Sequence, residues 1–258
     1  MLLQASDIHV SFPEASPFFL RRRRRPVLKG VSLFLREGQC LGIVGESGCG
    51  KSTLGRVLIG LLRPERGRVL VCGEDLYDRR GTKARRCGSV VFQDYTSSVN
   101  PRFRIEAVMN EPLRTLEGLG KRELRERAAE LLERVGLGGE FLDRYPHQLS
   151  GGQLQRVCIA RALAGAPRFL LLDEAVSSLD VSVQVQIMDL LAELKETHGL
   201  SYLFITHDLE AVTYLCDSVL FMHDGVFVEE TGDVSRIGDV THPFARRLLS
   251  AVAGFDMA

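Results

Sequence analysis

Five short runs of apolar residues stand out along the chain: Leu41–Val44, Ser89–Phe92, Phe169–Leu172, Tyr202–Ile205 and Ser218–Met222. They are rich in valine, isoleucine, leucine and phenylalanine and do not alternate with polar residues. That pattern predicts strands buried on both faces rather than half-exposed ones. Between them lie segments of helical period. In Lys121–Val135 the residues Leu124, Ala128, Leu131, Leu132 and Val135 fall at offsets 0, 4, 7, 8 and 11, and Val183, Ile187, Leu190, Leu191 and Leu194 repeat the spacing. Buried strands separated by helices predict an α/β fold with a mainly parallel sheet and helices on both faces. The stretch from Asp94 to about Gly165 carries no strand pattern and is punctuated by Pro101, Pro112 and Pro146, which predicts an inserted helical subdomain. The first 40 residues together with Gly67–Val71 predict a small antiparallel β layer.

Composition narrows the field mainly by exclusion. With 33 basic and 33 acidic residues the chain is neutral, which disfavours nucleic acid as a partner. No apolar run approaches the roughly 18 residues of a membrane-spanning helix, and Met1–Val10 does not have the pattern of a secretory signal. The six cysteines, at positions 40, 49, 72, 87, 158 and 216, include no C-x-x-C pair, so reduced thiols are expected rather than a disulfide framework or a metal site. Cys49 fills a variable loop position with no chemical role expected of it. His198, His223 and His242 form no metal-ligand pattern, so a metal cargo is not expected to be handled by this chain.

The chemistry begins after the first strand. Gly45-Glu46-Ser47-Gly48-Cys49-Gly50-Lys51-Ser52-Thr53 is G-x-x-x-x-G-K-S in strand–loop–helix context. Glycines let backbone N–H groups close around phosphate oxygens, and the following helix points its partial positive charge at the same anion. Lys51 is expected to reach the terminal phosphates and the Ser52 hydroxyl to ligate Mg²⁺, so a nucleoside triphosphate with Mg²⁺ is expected here. The strand Phe169–Leu172 ends in Asp173-Glu174. An aspartate there can hold the metal, and the next glutamate can polarise a water. His207 follows the strand Tyr202–Ile205, at a carboxyl end where sheets of this class bind ligands. Ser150-Gly151-Gly152-Gln153 opens a second helix with a serine cap and two small residues, a second anion site. Two phosphate devices about a hundred residues apart suggest that each chain completes its partner's site.

In these motifs the sequence resembles the ATP-binding-cassette (ABC) ATPases of the P-loop NTPase class. Gln93 matches that family's Q-loop, Leu149–Gln153 its signature, Ser177-Ser178-Leu179-Asp180 its D-loop and Thr206-His207-Asp208 its switch histidine, all in family order. The resemblance implies one cassette over residues 1–258, with 1–93 and 166–240 as β layer and nucleotide core, 94–165 as helical subdomain and 241–258 as a short tail. It implies that Gly45, Glu46, Ser47, Gly48, Cys49, Gly50, Lys51, Ser52 and Thr53 surround the phosphates, with Ser52, Gln93 and Asp173 around Mg²⁺. Glu174 would be the general base and His207 the γ-phosphate switch. Ser150, Gly151, Gly152, Gln153 and Asp180 would meet the nucleotide across a dimer. Phe12 is the best match to the aromatic residue that stacks on adenine, although that residue is usually tyrosine.

Finer likenesses point to the ATPases of peptide and nickel importers: Val91–Asp94 continuing to Ser98–Arg102, and Thr241–Leu249. Ala175-Val176 after the glutamate, and the run Gln148–Cys158, are similar to nickel-import ATPases, where peptide members more often have proline after the glutamate. Peptide members also commonly carry a cysteine-bearing C-terminal extension, which this sequence lacks. The expectation is therefore an energy-coupling ATPase for nickel or a metal chelate, with a di- or oligopeptide importer as the alternative and a soluble cassette acting on DNA or ribosomes as a remote one. The implied partners are a second ATPase subunit, two membrane permease subunits and, indirectly, a periplasmic or surface binding protein. The implied location is peripheral, on the cytoplasmic face of the bacterial membrane. Arg21–Arg25 admits two readings: attraction to anionic lipid, worth about 1 kcal/mol per residue near the surface, or a solvated loop of the β layer.

Overall fold

The computed structural model describes residues 1–14, 24–78, 82–117 and 119–251. Along the chain come β1 (Leu3–Pro13), β2 (Arg24–Leu35), β3 (Cys40–Val44), α1 (Lys51–Leu58), β4 (Arg66–Val71), β5 (Glu74–Asp75) and α2 (Thr82–Arg86). Then follow β6 (Gly88–Phe92), α3 (Ile105–Glu117), α4 (Lys121–Glu133), α5 (Gly151–Leu163), β7 (Phe169–Asp173) and α6 (Val181–His198). The last elements are β8 (Ser201–Thr206), α7 (Leu209–Leu215), β9 (Ser218–His223), β10 (Val226–Thr231) and α8 (Pro243–Ser250). Short 3-10 turns cover Gly139–Asp143, Pro146–Gln148 and Val234–Asp239.

Contacts divide the chain into two units, Met1–Arg85 with Ser201–Ala258, and Arg86–Leu200. In the first, β3 runs parallel to both β8 and β9, and all five of its residues are buried. This is why its sequence is an unbroken apolar run: neither face meets water. An antiparallel sheet in the order β2-β1-β4-β5 forms the expected N-terminal layer. In its strands buried and exposed positions mix, as expected of a sheet with one wet face. In the second unit β6 and β7 pair in parallel, Gly88 opposite Phe169 through Phe92 opposite Asp173.

Each predicted strand is present, within a residue or two of its expected ends. Two local readings need correction. Pro112 does not break the helical region; it lies inside α3. A proline there removes one backbone bond at a cost of about 3 kcal/mol. Ile105, Val108, Met109 and Leu113 are each almost fully buried on one stripe of that helix, at about 1.5–3 kcal/mol apiece, so packing outweighs the local penalty. The strand β10 was not anticipated. It returns antiparallel along β9 through Asp224-Gly225, both at positive φ (45° and 80°), the backbone of a tight hairpin turn.

Of the arginine run, Arg21–Arg23 lie outside the described residues. Arg24 begins β2 and ion-pairs with Glu65, and its guanidinium also donates to the Ser11 hydroxyl at 2.9 Å. No helix among the described residues is long and apolar enough to cross a membrane.

Candidate nucleotide-binding site

The loop between β3 and α1 is shaped from beneath by the end of β9. Gly45 is buried, and a Cβ there would lie 2.2 Å from the Met222 carbonyl oxygen and 2.9 Å from Cys49 Sγ. Only hydrogen fits. Gly50, at φ 114°, precedes α1, and Leu54 N–H donates back to its carbonyl at 2.9 Å as the first helical bond. The Gly225 N–H donates to the Cys49 carbonyl at 3.0 Å, so the β9–β10 turn braces the loop. Burial pushes the Cys49 thiol up, against the pull of the Lys51 charge, which leaves it an unreactive wall residue. Glu46, Ser47 and Gly48 face solvent, as does Ser52, and Thr53 is half-buried.

Lys51 is 7% exposed. Its Nζ folds back into the loop and donates to the Gly45 carbonyl at 2.6 Å and the Glu46 carbonyl at 3.1 Å. A buried ammonium held by neutral carbonyls is only partly compensated, so the loop offers a cation to any anion that enters. The first turn of α1 carries no acidic side chain, which leaves the helix's positive end unneutralised by its own turn.

Also in this unit, His207 is exposed at the carboxyl end of β8. Asp208 next to it caps α7, its Oδ1 accepting from the N–H groups of Glu210 and Ala211 at 2.9 and 3.1 Å. Phe12, 40% exposed, lies opposite Arg25 in the β1–β2 pair. It sits two residues beyond Val10, which pairs with Leu28, and Leu28 is among the atoms that wall Gly50. A contact that sequence reasoning missed joins α8 to the loop. Arg247 donates to Glu46 Oε1 at 3.1 Å, and Phe244 lies against the His223 ring with centroids 4.2 Å apart. The Thr241–Leu249 motif was visible, but no spacing rule links residues 201 positions apart.

In the second unit Asp173 is buried at the end of β7, and Glu174 follows at φ 52°, a left-handed conformation unusual for glutamate. Gln93 is exposed one residue past Phe92, the strand partner of Asp173. Ser178 Oγ donates to the Gln93 carbonyl at 3.5 Å, so the turn before α6 meets the segment after β6. Hydrogen bonds from Thr96 and Ser97 hold the neighbouring Asp94 carboxyl low, at about 2. Asp180 stands at the N-cap of α6, its carbonyl accepting from Gln184 N–H at 2.8 Å.

Ser150 caps α5 as expected: its Oγ accepts from Gln153 N–H at 3.3 Å, and Gln153 Oε1 accepts from Ser150 N–H at 3.0 Å. The two glycines are needed for close approach. A Cβ on Gly151 would lie 2.8 Å from the Tyr95 hydroxyl, and one on Gly152 2.5 Å from Val183. Tyr95 had drawn no attention in the sequence, although it stands two residues past Gln93. Gln155, part of the quoted signature run, proves wholly buried.

The residues fit a triphosphate with Mg²⁺. The loop has room for hydrogen only at Gly45, a buried cation at Lys51 and an open helix start. Taken unit by unit, the Ser52 hydroxyl in the first and the Gln93 amide oxygen and Asp173 carboxylate in the second are each oxygen donors of the kind a hard cation takes. Among the described residues no group of three or more His, Cys, Asp or Glu could hold a metal ion.

Comparison with known proteins agrees with this inventory. Residues 28–177 match the family model described as ABC transporter. The chain is 43% identical over 256 residues to the oligopeptide transport ATP-binding protein AppF of Bacillus subtilis (strain 168), covering 97% of this chain and 78% of that protein. It is 40% identical over 254 residues to the metal-staphylopine import system ATP-binding protein CntF of Staphylococcus aureus (strain NCTC 8325 / PS 47), covering 98% of this chain and all of that protein. Among solved structures, the ATP-binding cassette MJ0796, described as a dimer in a post-hydrolysis state bound to ADP and Pi, superposes with a TM-score of 0.77 at 30% identity, covering 89% of this chain and 98% of that one. With its loop, acidic strand end and capped signature helix in family order, the chain belongs to the ATP-binding subunits of the ABC transporter family.

Proposed function

We propose that this chain binds and hydrolyses ATP as the energy-coupling subunit of an importer. The observation that carries the reading is Lys51, a buried ammonium enclosed by loop carbonyls and open to exchange them for phosphate oxygens. In this reading Gly45–Thr53 cradles the triphosphate, and Ser52, Gln93 and Asp173 hold Mg²⁺, which supplies charge neutralisation on the phosphate oxygens. Glu174 accepts a proton from the attacking water, and His207 contacts the γ-phosphate. Phe12 stacks on adenine. Catalysis is then mostly positioning and charge stabilisation.

Ser150, Gly151, Gly152, Gln153 and Asp180 act on the nucleotide of a partner ATPase, a homologue or a second copy, in a sandwich dimer. The dimeric MJ0796 cassette supports that arrangement. Closing and reopening the sandwich would drive two permease subunits at the cytoplasmic face of the membrane, docked near Gln93–Pro112, with a binding protein delivering cargo from outside.

For cargo, nickel or a metal–chelator complex is the favoured reading, on the likeness of Ala175-Val176 and Gln148–Cys158 to nickel-import ATPases. The relative named for metal-staphylopine import is consistent with a chelate, and the relative named for oligopeptide transport supports a peptide cargo as the second reading. Turnover and cargo are tested separately. The complex that co-purifies with the tagged chain is expected to release phosphate from ATP with Mg²⁺, and Glu174→Gln to bind ATP without turnover. Undiminished hydrolysis by that variant removes Glu174 as the base. Uptake of nickel, cobalt and a dipeptide in a deletion strain, with and without the gene restored, decides the cargo.

A further inference from the structure

Gln155 lies in the second turn of α5 with its side chain 0% exposed. Its Nε2 donates to the Ala175 carbonyl at 2.7 Å, a contact between residues 20 positions apart. Its Oε1 is also buried and has no hydrogen-bond partner among the described residues. A buried amide satisfied at one end only carries an uncompensated desolvation cost at the other. The polar group therefore calls for an explanation in what its donor end does.

That end holds the backbone beside Glu174. The Glu174 carbonyl accepts from Ser177 through both the N–H (3.2 Å) and Oγ (2.9 Å). The next carbonyl, of Ala175, is the one Gln155 takes. Both peptide carbonyls that follow the left-handed Glu174 are thus tied down, one by its own turn and one by α5. The N-terminal end of α5 is the capped Ser150-Gly151-Gly152 start, packed closely enough that a Cβ on Gly151 or Gly152 would press on the Tyr95 hydroxyl or on Val183. Four residues of continuous helix, Gly151 to Leu154, lie between the Ser150 cap and Gln155, and a hydrogen-bonded helix transmits a displacement of its first turn to its second.

We propose that Gln155 is a positioning residue that couples the Ser150–Gly152 helix start to the Glu174 carboxylate. This rests on the reading of Glu174 as base and of the helix start as the trans phosphate site. An anion engaging the start of α5 shifts the helix, and the Gln155–Ala175 bond carries that shift to the peptide next to Glu174. Engagement of one nucleotide thereby sets the base that serves the other.

The test uses the complex that co-purifies with the tagged full chain, in MgATP. Gln155→Met keeps the volume and removes the donor. Its kcat is expected to fall about tenfold to a hundredfold, as for a misplaced reacting group, with KM for ATP within about twofold and the melting temperature somewhat lower, because the buried Ala175 carbonyl loses its donor. Gln155→Asn, whose amide is one methylene too short to reach Ala175, is expected to show the same loss and serves where Gln155→Met does not fold. Ser150→Ala supplies the second arm of a double-mutant cycle. If Gln155 relays the helix start, the double variant is no slower than the worse single variant; independent losses that multiply overturn the relay. Wild-type kcat in Gln155→Met also overturns it. Glu174→Gln is run alongside: if that variant turns over normally the base assignment fails, whereas a dead Glu174→Gln with an unaffected Gln155→Met removes the coupling alone.

Discussion

Lys51 Nζ lies 2.6 Å from the Gly45 carbonyl oxygen, six residues earlier, so the lysine closes the glycine loop upon itself. The bond joins the two ends of the loop through a buried cation. It also identifies the atoms that a triphosphate must compete with. Replacing Lys51 by alanine removes the charge and leaves the loop geometry to the glycines. ATP hydrolysis is expected to drop at least a hundredfold, about what removal of one charge-stabilising donor costs, while the thermal midpoint moves little. Phosphate release and a melting curve on the same preparation check both halves.

Gly45→Ala separates shape from charge. The new Cβ, one residue past the end of β3, meets the Met222 carbonyl at 2.2 Å, and that carbonyl belongs to the backbone of β9, the parallel neighbour of β3. Overpacking of this kind costs about 1–3 kcal/mol, which for a chain of this size lowers the melting temperature by several degrees, about 2–4 °C per kcal/mol. Unchanged melting would show that β9 yields at Met222 and that the loop is less braced than the geometry indicates.

Arg247 and Glu46 make a pair that is largely exposed on both sides, 65% and 52% by side chain. Such pairs contribute little to stability. Arg247→Ala is therefore expected to melt with the parent chain. Its effect should appear instead in nucleotide affinity at low salt, where the freed Glu46 carboxylate repels a polyphosphate. A rise in KM for ATP of about twofold to fivefold is expected, fading toward molar salt as the Debye length shrinks to about 3 Å. A KM that ignores ionic strength argues against the contact in solution.

The Asp94 carboxyl, beside Gln93, is held at about 2 instead of 3.8, first by the Thr96 hydroxyl and then by the Ser97 N–H. A depressed carboxylate stabilises the fold above its unfolded pKa, and the contribution is lost as pH falls through the folded value. The stability gap between the parent chain and Asp94→Asn should be full above about pH 5 and narrow between roughly pH 4 and pH 2. Thr96→Ala should raise the Asp94 titration midpoint toward 3.8, read from its carboxyl carbon resonance. A midpoint unmoved by that change would leave Thr96 without a part in it.

Much of the nucleotide machinery was legible because it is local. The proposed phosphate loop, Gly45 to Thr53, consists of a glycine turn and a helix start, both fixed within a few positions of the motif. The Ser150 cap and its reciprocal Gln153 contact are likewise a three-residue affair. Continuous apolar runs reported the buried strands faithfully because burial on both faces removes the alternation that would confuse them. Pro112 was misread because a local penalty was weighed without the buried stripe of α3. The strand β10 was overlooked although Asp224-Gly225 carried a hairpin signal, because its own residues are only half-buried and lack an apolar run.

The glycine loop after β3, the acidic strand end, the Ser150-capped helix and the order in which they occur were readable from the chain, since each is encoded by neighbouring residues whose chemistry needs no distant help. What those pieces rest on came from the fold: Met222 beneath Gly45, Arg247 against Glu46, Gln155 beneath the Ala175 carbonyl. These contacts join positions 177, 201 and 20 residues apart. They arise from strand register and helix packing, which bring together side chains that no periodicity along the chain relates.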